Sequence, residues 1–130
     1  MKCLDTTFLI DFLKQNKDAI RKASEIEEES LCTTSINVFE FLLGSYQKEE
    51  LTEIEINQLK ELIKNLDVLP FDLKSSFMSS KIAADLIKRH QEMSLGDSLI
   101  VGVMIANNCF EIVTRDKHFS KIKNIKVITY

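Results

Sequence analysis

Long hydrophobic runs are missing from this chain. No segment reaches the roughly 18 uninterrupted apolar residues that a membrane helix requires, and the N-terminal apolar stretch from Cys3 to Leu13 is broken by Asp5 and Asp11. The expectation is therefore a soluble, unsecreted chain that works in the cytoplasm with no membrane partner. Cysteine is scarce as well: Cys3, Cys32 and Cys109 are odd in number, lie among apolar neighbours, and show no CxxC spacing or nearby histidine that would build a zinc site. Buried, reduced thiols are expected. An excess of basic residues is also lacking, with 17 Lys and Arg against 20 Asp and Glu and a formal net charge of -3. That balance argues against a domain that holds nucleic acid through a general positive field, because phosphate binding draws its affinity from counterion release by Lys and Arg. Nucleic-acid binding, if present, must be local. If some of the acids converge on divalent cations, one bound ion brings the net charge to about -1 and two bring it to about +1. Repeats, linkers and low-complexity stretches do not occur.

What is present is a chain of 130 residues, 45% of them hydrophobic, which suits one globular domain over residues 1–130 with a single core. Met1 to Leu4 and then Phe8 to Leu13 read as strand, turn and helix around Asp5-Thr6-Thr7. Asp18 to Glu29 carries Ala19, Ile20, Ala23 and Ile26 on one face of an amphipathic helix. Leu31 to Thr34 has the branched character of a second strand, after which Ser35 is placed to cap a helix running to about Glu50, with Ile36, Phe39, Leu42, Leu43 and Tyr46 on its apolar face. Leu51 to Asn65 is helical in its spacing, and Asp67 to Phe71 reads as a third strand stopped by the only proline. A long helix follows, with Phe77, Ile82, Ala83, Leu86 and Ile87 at its apolar positions. Leu99 to Cys109 is apolar almost all round, as in a helix buried against a sheet. Glu111 to Thr114, a helical turn over Asp116 to Ile122, and a last strand over Val127 to Tyr130 complete the chain. Strands alternating with helices imply right-handed crossovers and a mainly parallel sheet covered on both faces. In such sheets the binding crevice lies beyond the carboxyl ends of the strands, where strand order reverses.

Four acids draw attention there. Asp5 ends the first strand and Asp116 follows the fourth, so both open onto one crevice if those strands are neighbours. Asp97 stands at the mouth of the apolar helix, and Glu40 lies beside Ile36 and Leu43 at the edge of a stripe expected to face the core. Buried carboxylates that crowd together repel and hold protons above their usual range. A divalent cation turns that repulsion into attraction, and hard oxygen ligands suit magnesium or manganese, with water and substrate phosphate in the remaining positions. The chemistry expected of such a centre is phosphodiester hydrolysis. Each acid has a plainer reading beside it: Asp5 and Asp97 as helix N-caps worth about 1 kcal/mol each, Glu40 paired with Lys14 or Lys81, and Asp116 opening a turn before Phe119.

Four strings carry a resemblance: LDTTFLIDFL (Leu4 to Leu13), NVFEFLLG (Asn37 to Gly44), GDSLIVGVMIA (Gly96 to Ala106) and VTRDKHF (Val113 to Phe119). In this order and at these separations they resemble the PIN-domain ribonucleases, particularly the VapC-type toxins. The resemblance implies a three-layer α/β/α fold with a five-stranded, mainly parallel sheet. It also implies a four-carboxylate centre of Asp5, Glu40, Asp97 and Asp116 serving both as catalytic residues and as ligands to Mg2+ or Mn2+, with Thr6 and Thr114 in support. The partners it implies are an RNA substrate, a small inhibitory antitoxin and a second copy of the chain in a homodimer. Gly96 before Asp97 is a slight departure, as is Asp116 where many relatives carry Asn.

Among basic residues, Arg115, Lys117, His118 and Lys121 flank Asp116, and Arg115 and Lys117 are the first candidates for contacts with RNA phosphate. Lys81, Lys88 and Arg89 would extend that set. His90 and His118 sit in polar, basic surroundings and read as solvated surface groups, while Phe8, Phe39 and Tyr46 read as core or dimer contacts ahead of base stacking. Two other function classes stand against the nuclease. A phosphatase-like hydrolase with Asp5 as nucleophile wants a second acid at position 7, where Thr7 stands. A non-catalytic RNA- or protein-binding domain of the same fold has no use for four acids.

Overall fold

The computed structural model describes every residue except Leu51. The elements run β1 (Lys2–Leu4), α1 (Thr6–Leu13), α2 (Lys17–Ile26), β2 (Leu31–Thr34), α3 (Ser35–Tyr46), α4 (Thr52–Ile63), β3 (Asp67–Leu69), α5 (Leu73–Lys88), α6 (Leu95–Ala106), β4 (Glu111–Val113), a 3-10 turn (Lys117–Lys121) and β5 (Lys126–Ile128). All strand pairs are parallel and the order is β3-β2-β1-β4-β5. The order reverses between β1 and β4, the strands that carry Asp5 and lead to Asp116.

Alternation along each short strand assigns its side chains to opposite faces. Cys3, Cys32 and Ile112 look toward one face, where they pack with Leu86 of α5 and Ile100, Val101 and Met104 of α6. Leu4 and Val113 look toward the other, against Phe8 and Leu9 of α1, Ala19 and Ile26 of α2, Phe41 of α3 and Leu59 of α4. The result is the expected three-layer α/β/α arrangement with a five-stranded parallel sheet. The uniformly apolar helix α6 is the most deeply buried: Ile100, Val101, Val103 and Met104 are fully inaccessible, each contributing about 1.5–3 kcal/mol of burial. The three cysteines are buried and free. Among the described residues no helix is long and apolar enough to cross a membrane.

Several expectations shift. The third strand stops at Leu69 rather than Phe71, the fifth covers Lys126–Ile128 rather than Val127 to Tyr130, and α3 ends at Tyr46 rather than near Glu50. The expected start of the fourth helix, Leu51, lies outside the described residues. The cap of α3 is Thr34, not Ser35: Thr34 Oγ1 accepts from the Asn37 N–H while the Asn37 side chain accepts from the Thr34 N–H, closing a capping box. The buried face of α3 is also different. Asn37, Phe41 and Ser45 point inward, whereas Phe39, Leu43 and Tyr46 are 60%, 47% and 65% exposed. On α5, Leu86 is buried as expected, but Phe77 and Ile87 are 69% and 56% exposed. Phe8 belongs to the core, edge-on to the Tyr130 ring with centroids 5.1 Å apart.

Candidate active site

Asp5 follows β1 and is only 4% exposed. Its backbone N–H donates to the Val113 carbonyl of neighbouring β4 at 3.1 Å, so the sheet itself fixes its place. Although Asp5 stands at the N-cap position of α1, its carboxylate makes no cap bond of the usual kind. It faces three side-chain donors instead: Asn37 Nδ2 at 3.0 Å on one oxygen, and Thr114 Oγ1 at 2.6 Å and Thr7 Oγ1 at 3.2 Å on the other. Burial nevertheless dominates these donors and pushes the Asp5 carboxyl above its usual range, with the charge of Asp116 adding to the effect.

Glu40 stands on α3, half-buried, and Thr6 Oγ1 donates to its Oε1 at 2.7 Å. No lysine pairs with it: Lys14 lies by Ser45, Lys48 and Glu55, and Lys81 by Asp85 and Arg89. A Cβ on Gly96 would come within 2.8 Å of Glu40 Oε2, so this carboxylate lies against the first turn of α6. That turn carries Asp97. The cap of α6 is Ser94, whose Oγ accepts the Asp97 N–H at 3.2 Å, so the N-cap reading of Asp97 is replaced by one in which its carboxylate is left for other work. Because α6 precedes a parallel strand it runs back along the sheet, and its first turn lies at the carboxyl ends of the strands. Burial raises the carboxyl pKa of Glu40 and of Asp97, and the charges of Asp5 and Asp97 on Glu40, and of Asp116 and Asp5 on Asp97, raise them further.

Asp116 is held by its own N–H, which donates to Thr114 Oγ1 at 2.9 Å, and its Oδ1 accepts the His118 N–H at 2.8 Å. It therefore does open the 3-10 turn, as the plainer reading had it, but it also faces the centre. Ligand atoms of Asp97, Asp116 and His118 all lie within 4.8 Å of one another. His118 is surface-exposed as expected, yet its Nδ1 is 3.0 Å from Asp116 Oδ1. Among the sequence-predicted supports, Thr6 holds Glu40 and Thr114 holds both Asp5 and the backbone of Asp116, while Lys117 starts the 3-10 turn in solvent and the Arg115 guanidinium pairs with Asp11 at 2.8 Å.

Sequence reasoning missed Asn37. It is wholly buried, and its amide nitrogen donates to Asp5 and to Thr6 Oγ1, so one side chain orders the partners of both Asp5 and Glu40. Its signal was a carboxamide set among the apolar Ile36, Val38 and Phe39 in the first turn of α3. Thr7, Ser94 and Asp11 were missed too, each a short polar residue with an ordinary capping or surface explanation.

A parallel α/β sheet with Asp5 and Asp116 at its switch point, Asp97 and Glu40 beside them, and among the described residues no lysine or arginine paired with any of the four, offers a donor set that fits a hard divalent cation. The class so defined is that of parallel α/β domains with an acidic centre at the switch point of the sheet. The chain belongs to the PIN domain family, whose model matches residues 2–125. It is similar to a tRNA(fMet)-specific endonuclease VapC of Shigella flexneri, 19% identical over 95% of this chain and 92% of the relative. A tRNA(fMet)-specific endonuclease VapC of Salmonella typhimurium is 23% identical over 95% and 93% of the two chains. In three dimensions it resembles a chain of VapBC2 from Rickettsia felis bound to a DNA fragment from its promoter, with a TM-score of 0.87, 20% identity, and coverage of 99% and 98%. It also resembles one of FitAcB from Neisseria gonorrhoeae, with a TM-score of 0.85, 18% identity, and coverage of 98% and 96%.

Proposed function

We propose that this chain is a metal-dependent endoribonuclease, the toxin of a toxin–antitoxin pair, hydrolysing RNA phosphodiester bonds at the centre formed by Asp5, Glu40, Asp97 and Asp116. What supports the reading is the group of Asp97, Asp116 and His118, whose ligand atoms lie within 4.8 Å of one another, with Asp5 and Glu40 outside that group but coupled to it by charge, and the carboxyl pKa values of Asp5, Glu40 and Asp97 raised by burial and by a neighbouring acid. Asp5, Asp97 and Asp116 would hold Mg2+ or Mn2+, with Glu40 at the margin of the same centre and His118 within ligand reach. When bound, the ion supplies Lewis-acid polarisation of the phosphoryl oxygen and a water of lowered pKa.

The chain's own residues do the rest. Asn37 and Thr114 orient Asp5 by donating to opposite oxygens, and Thr6 orients Glu40. Lys117, exposed beside Asp116, and Arg115, whose side chain is 56% exposed while paired with Asp11, are the proposed contacts to RNA phosphate. With a net charge of -3, such contacts must act locally.

A small antitoxin partner is supported by structural relatives that are toxin–antitoxin complexes. A homodimer is supported by the exposed apolar stripe Phe39, Leu43 and Tyr46 on α3, a kind of surface that soluble monomers rarely leave uncovered. Action in the cytoplasm accords with three buried, free thiols and with an RNA substrate.

The test is cleavage of RNA in Mg2+ or Mn2+ by the wild type, Asp5→Asn and Asp97→Asn, each confirmed folded by circular dichroism. Cleavage lost in both variants, and lost from the wild type in EDTA, is the expected result. Undiminished cleavage in either variant would refute the reading.

A further inference from the structure

The acid crevice does not use every buried carboxylate. Asp11, on α1, is 7% exposed, and its Oδ2 accepts from Tyr130 Oη at 2.7 Å and from Arg115 Nε at 2.8 Å. Position 11 shares the inner face of α1 with Phe8, which packs on Phe12 and Tyr130. An apolar side chain would serve packing there at least as well, since a buried ion pair is weak evidence of stabilisation in itself. The charge needs another reason, and Arg115 provides it.

Arg115 lies between Thr114, which donates to Asp5, and Asp116. It is tied to α1 at two levels. Its backbone N–H donates to Thr7 Oγ1 at 3.2 Å, in the same hydroxyl cluster that contains Thr114 Oγ1, 3.1 Å from Thr7, and the Asp5 carboxylate. One turn further along the helix, its guanidinium is held by Asp11. Since α1 begins directly after Asp5, a single rigid helix fixes both ends of the separation between Asp5 and Asp116. The same ion pair holds a permanent cation away from the acids beside it. Released, that guanidinium would be drawn to the carboxylates that a divalent ion needs.

We propose that Asp11, assisted by Tyr130, is a positioning residue that restrains Arg115 and thereby keeps Asp116 in register with Asp5 for ion binding. The inference rests on the metal-dependent reading of the centre. It is tested by titrating the full chain with Mn2+ and measuring free ion by electron paramagnetic resonance, beside melting curves taken in EDTA. The proteins are the wild type, Asp11→Asn, Tyr130→Phe, Arg115→Ala and the double variant Asp11→Asn/Arg115→Ala. Asp11→Asn is expected to bind Mn2+ at least tenfold more weakly, and Tyr130→Phe severalfold more weakly, while melting in EDTA moves by no more than a few degrees. A purely structural role would move the melting and leave the affinity. The double variant is expected to bind as Arg115→Ala does, because the effect of Asp11 passes through Arg115. Should Asp11→Asn fail to fold, Tyr130→Phe, which removes one hydroxyl, carries the test alone. Wild-type affinity in Tyr130→Phe and Asp11→Asn, or an equal loss on removing Asp11 with and without Arg115, would overturn the inference and leave the centre standing. Absence of saturable Mn2+ binding in the wild type would overturn both.

Discussion

Gly96→Ala separates the fold from the centre, because the structure predicts opposite effects on the two. No glycine in the described chain has a positive φ, so alanine at position 96 meets no backbone strain. Replacing glycine in mid-helix favours the folded state by about 0.5–1 kcal/mol, and at the second residue of α6 the gain is at most that. The new Cβ, however, falls 2.8 Å from Glu40 Oε2, and ordinary contact begins at 3.4 Å. Glu40 must retreat, and its other oxygen is the one bonded to Thr6 at 2.7 Å. Metal–ligand distances tolerate only about 0.2 Å of error, so the displaced carboxylate no longer assists the ion, and a tenfold loss of affinity, about 1.4 kcal/mol, is a conservative expectation. At an ion concentration of 100 times the wild-type Kd, the stabilisation by ligand then falls from about 2.7 to about 1.4 kcal/mol. Differential scanning fluorimetry in EDTA and in Mn2+ reads both effects. Gly96→Ala should melt at or above the wild type in EDTA and gain only about half the wild-type shift in Mn2+. An equal Mn2+ shift in both proteins would refute the argument that Glu40 takes part in the centre.

The raised carboxyls of Asp5, Glu40 and Asp97 make a prediction about pH. An acid whose folded pKa lies above its ordinary value, here 3.8, 4.5 and 3.8, gives stability that is fully present below that value and lost as pH rises through the folded one. In EDTA, the melting temperature of Asp97→Asn relative to the wild type should therefore climb as pH rises from about 4 to 7, and Mn2+ should reverse the order at pH 7. A difference independent of pH would contradict it. Gly102→Ala tests the packing of α5 on α6: its Cβ would lie 1.7 Å from Ser79 Oγ and 2.7 Å from the Ser79 backbone nitrogen, which no side-chain rotation relieves. Overpacking of about 1–3 kcal/mol, less the helical gain, should lower the melting temperature by several degrees. An unchanged or raised melting temperature would show that the two helices separate easily.

Much of the architecture was legible because α6 and the strands announce themselves. The run from Leu99 to Met104 is apolar on every face, which only a helix pressed against a sheet requires, and the alternation of strand and helix leaves little choice but parallel pairing. Asp5 and Asp116 were legible as a pair conditional on strand order, and β1 does lie beside β4. Glu40 was reached by faulty geometry. Its stripe was expected to face the core, yet Leu43 and Phe39 point to solvent, and Glu40 is half-buried because Thr6 and the first turn of α6 close over it. The inner face of α3 was illegible because two of its three buried positions are Asn37 and Ser45. Polar residues can be buried without large loss when their bonds are satisfied, and no periodicity of hydrophobicity reports that. Asn37 spends its amide on Asp5, Thr6 and Thr34, while Ser45 donates to Glu55. For the same reason the Asp11–Arg115–Tyr130 contact was invisible: its members are far apart in sequence and each looks like an ordinary surface residue.

The claim on which the account depends is that Asp5, Asp97 and Asp116, from separate parts of the chain, hold a divalent ion in one crevice. Crystals soaked in Mn2+ and measured at a wavelength where manganese scatters anomalously test it directly. An anomalous peak within bonding distance of the Asp5, Asp97 and Asp116 carboxylates is the result expected, lost in crystals of Asp97→Asn. A saturated soak with no peak in that crevice, or with its peak elsewhere on the molecule, would contradict it.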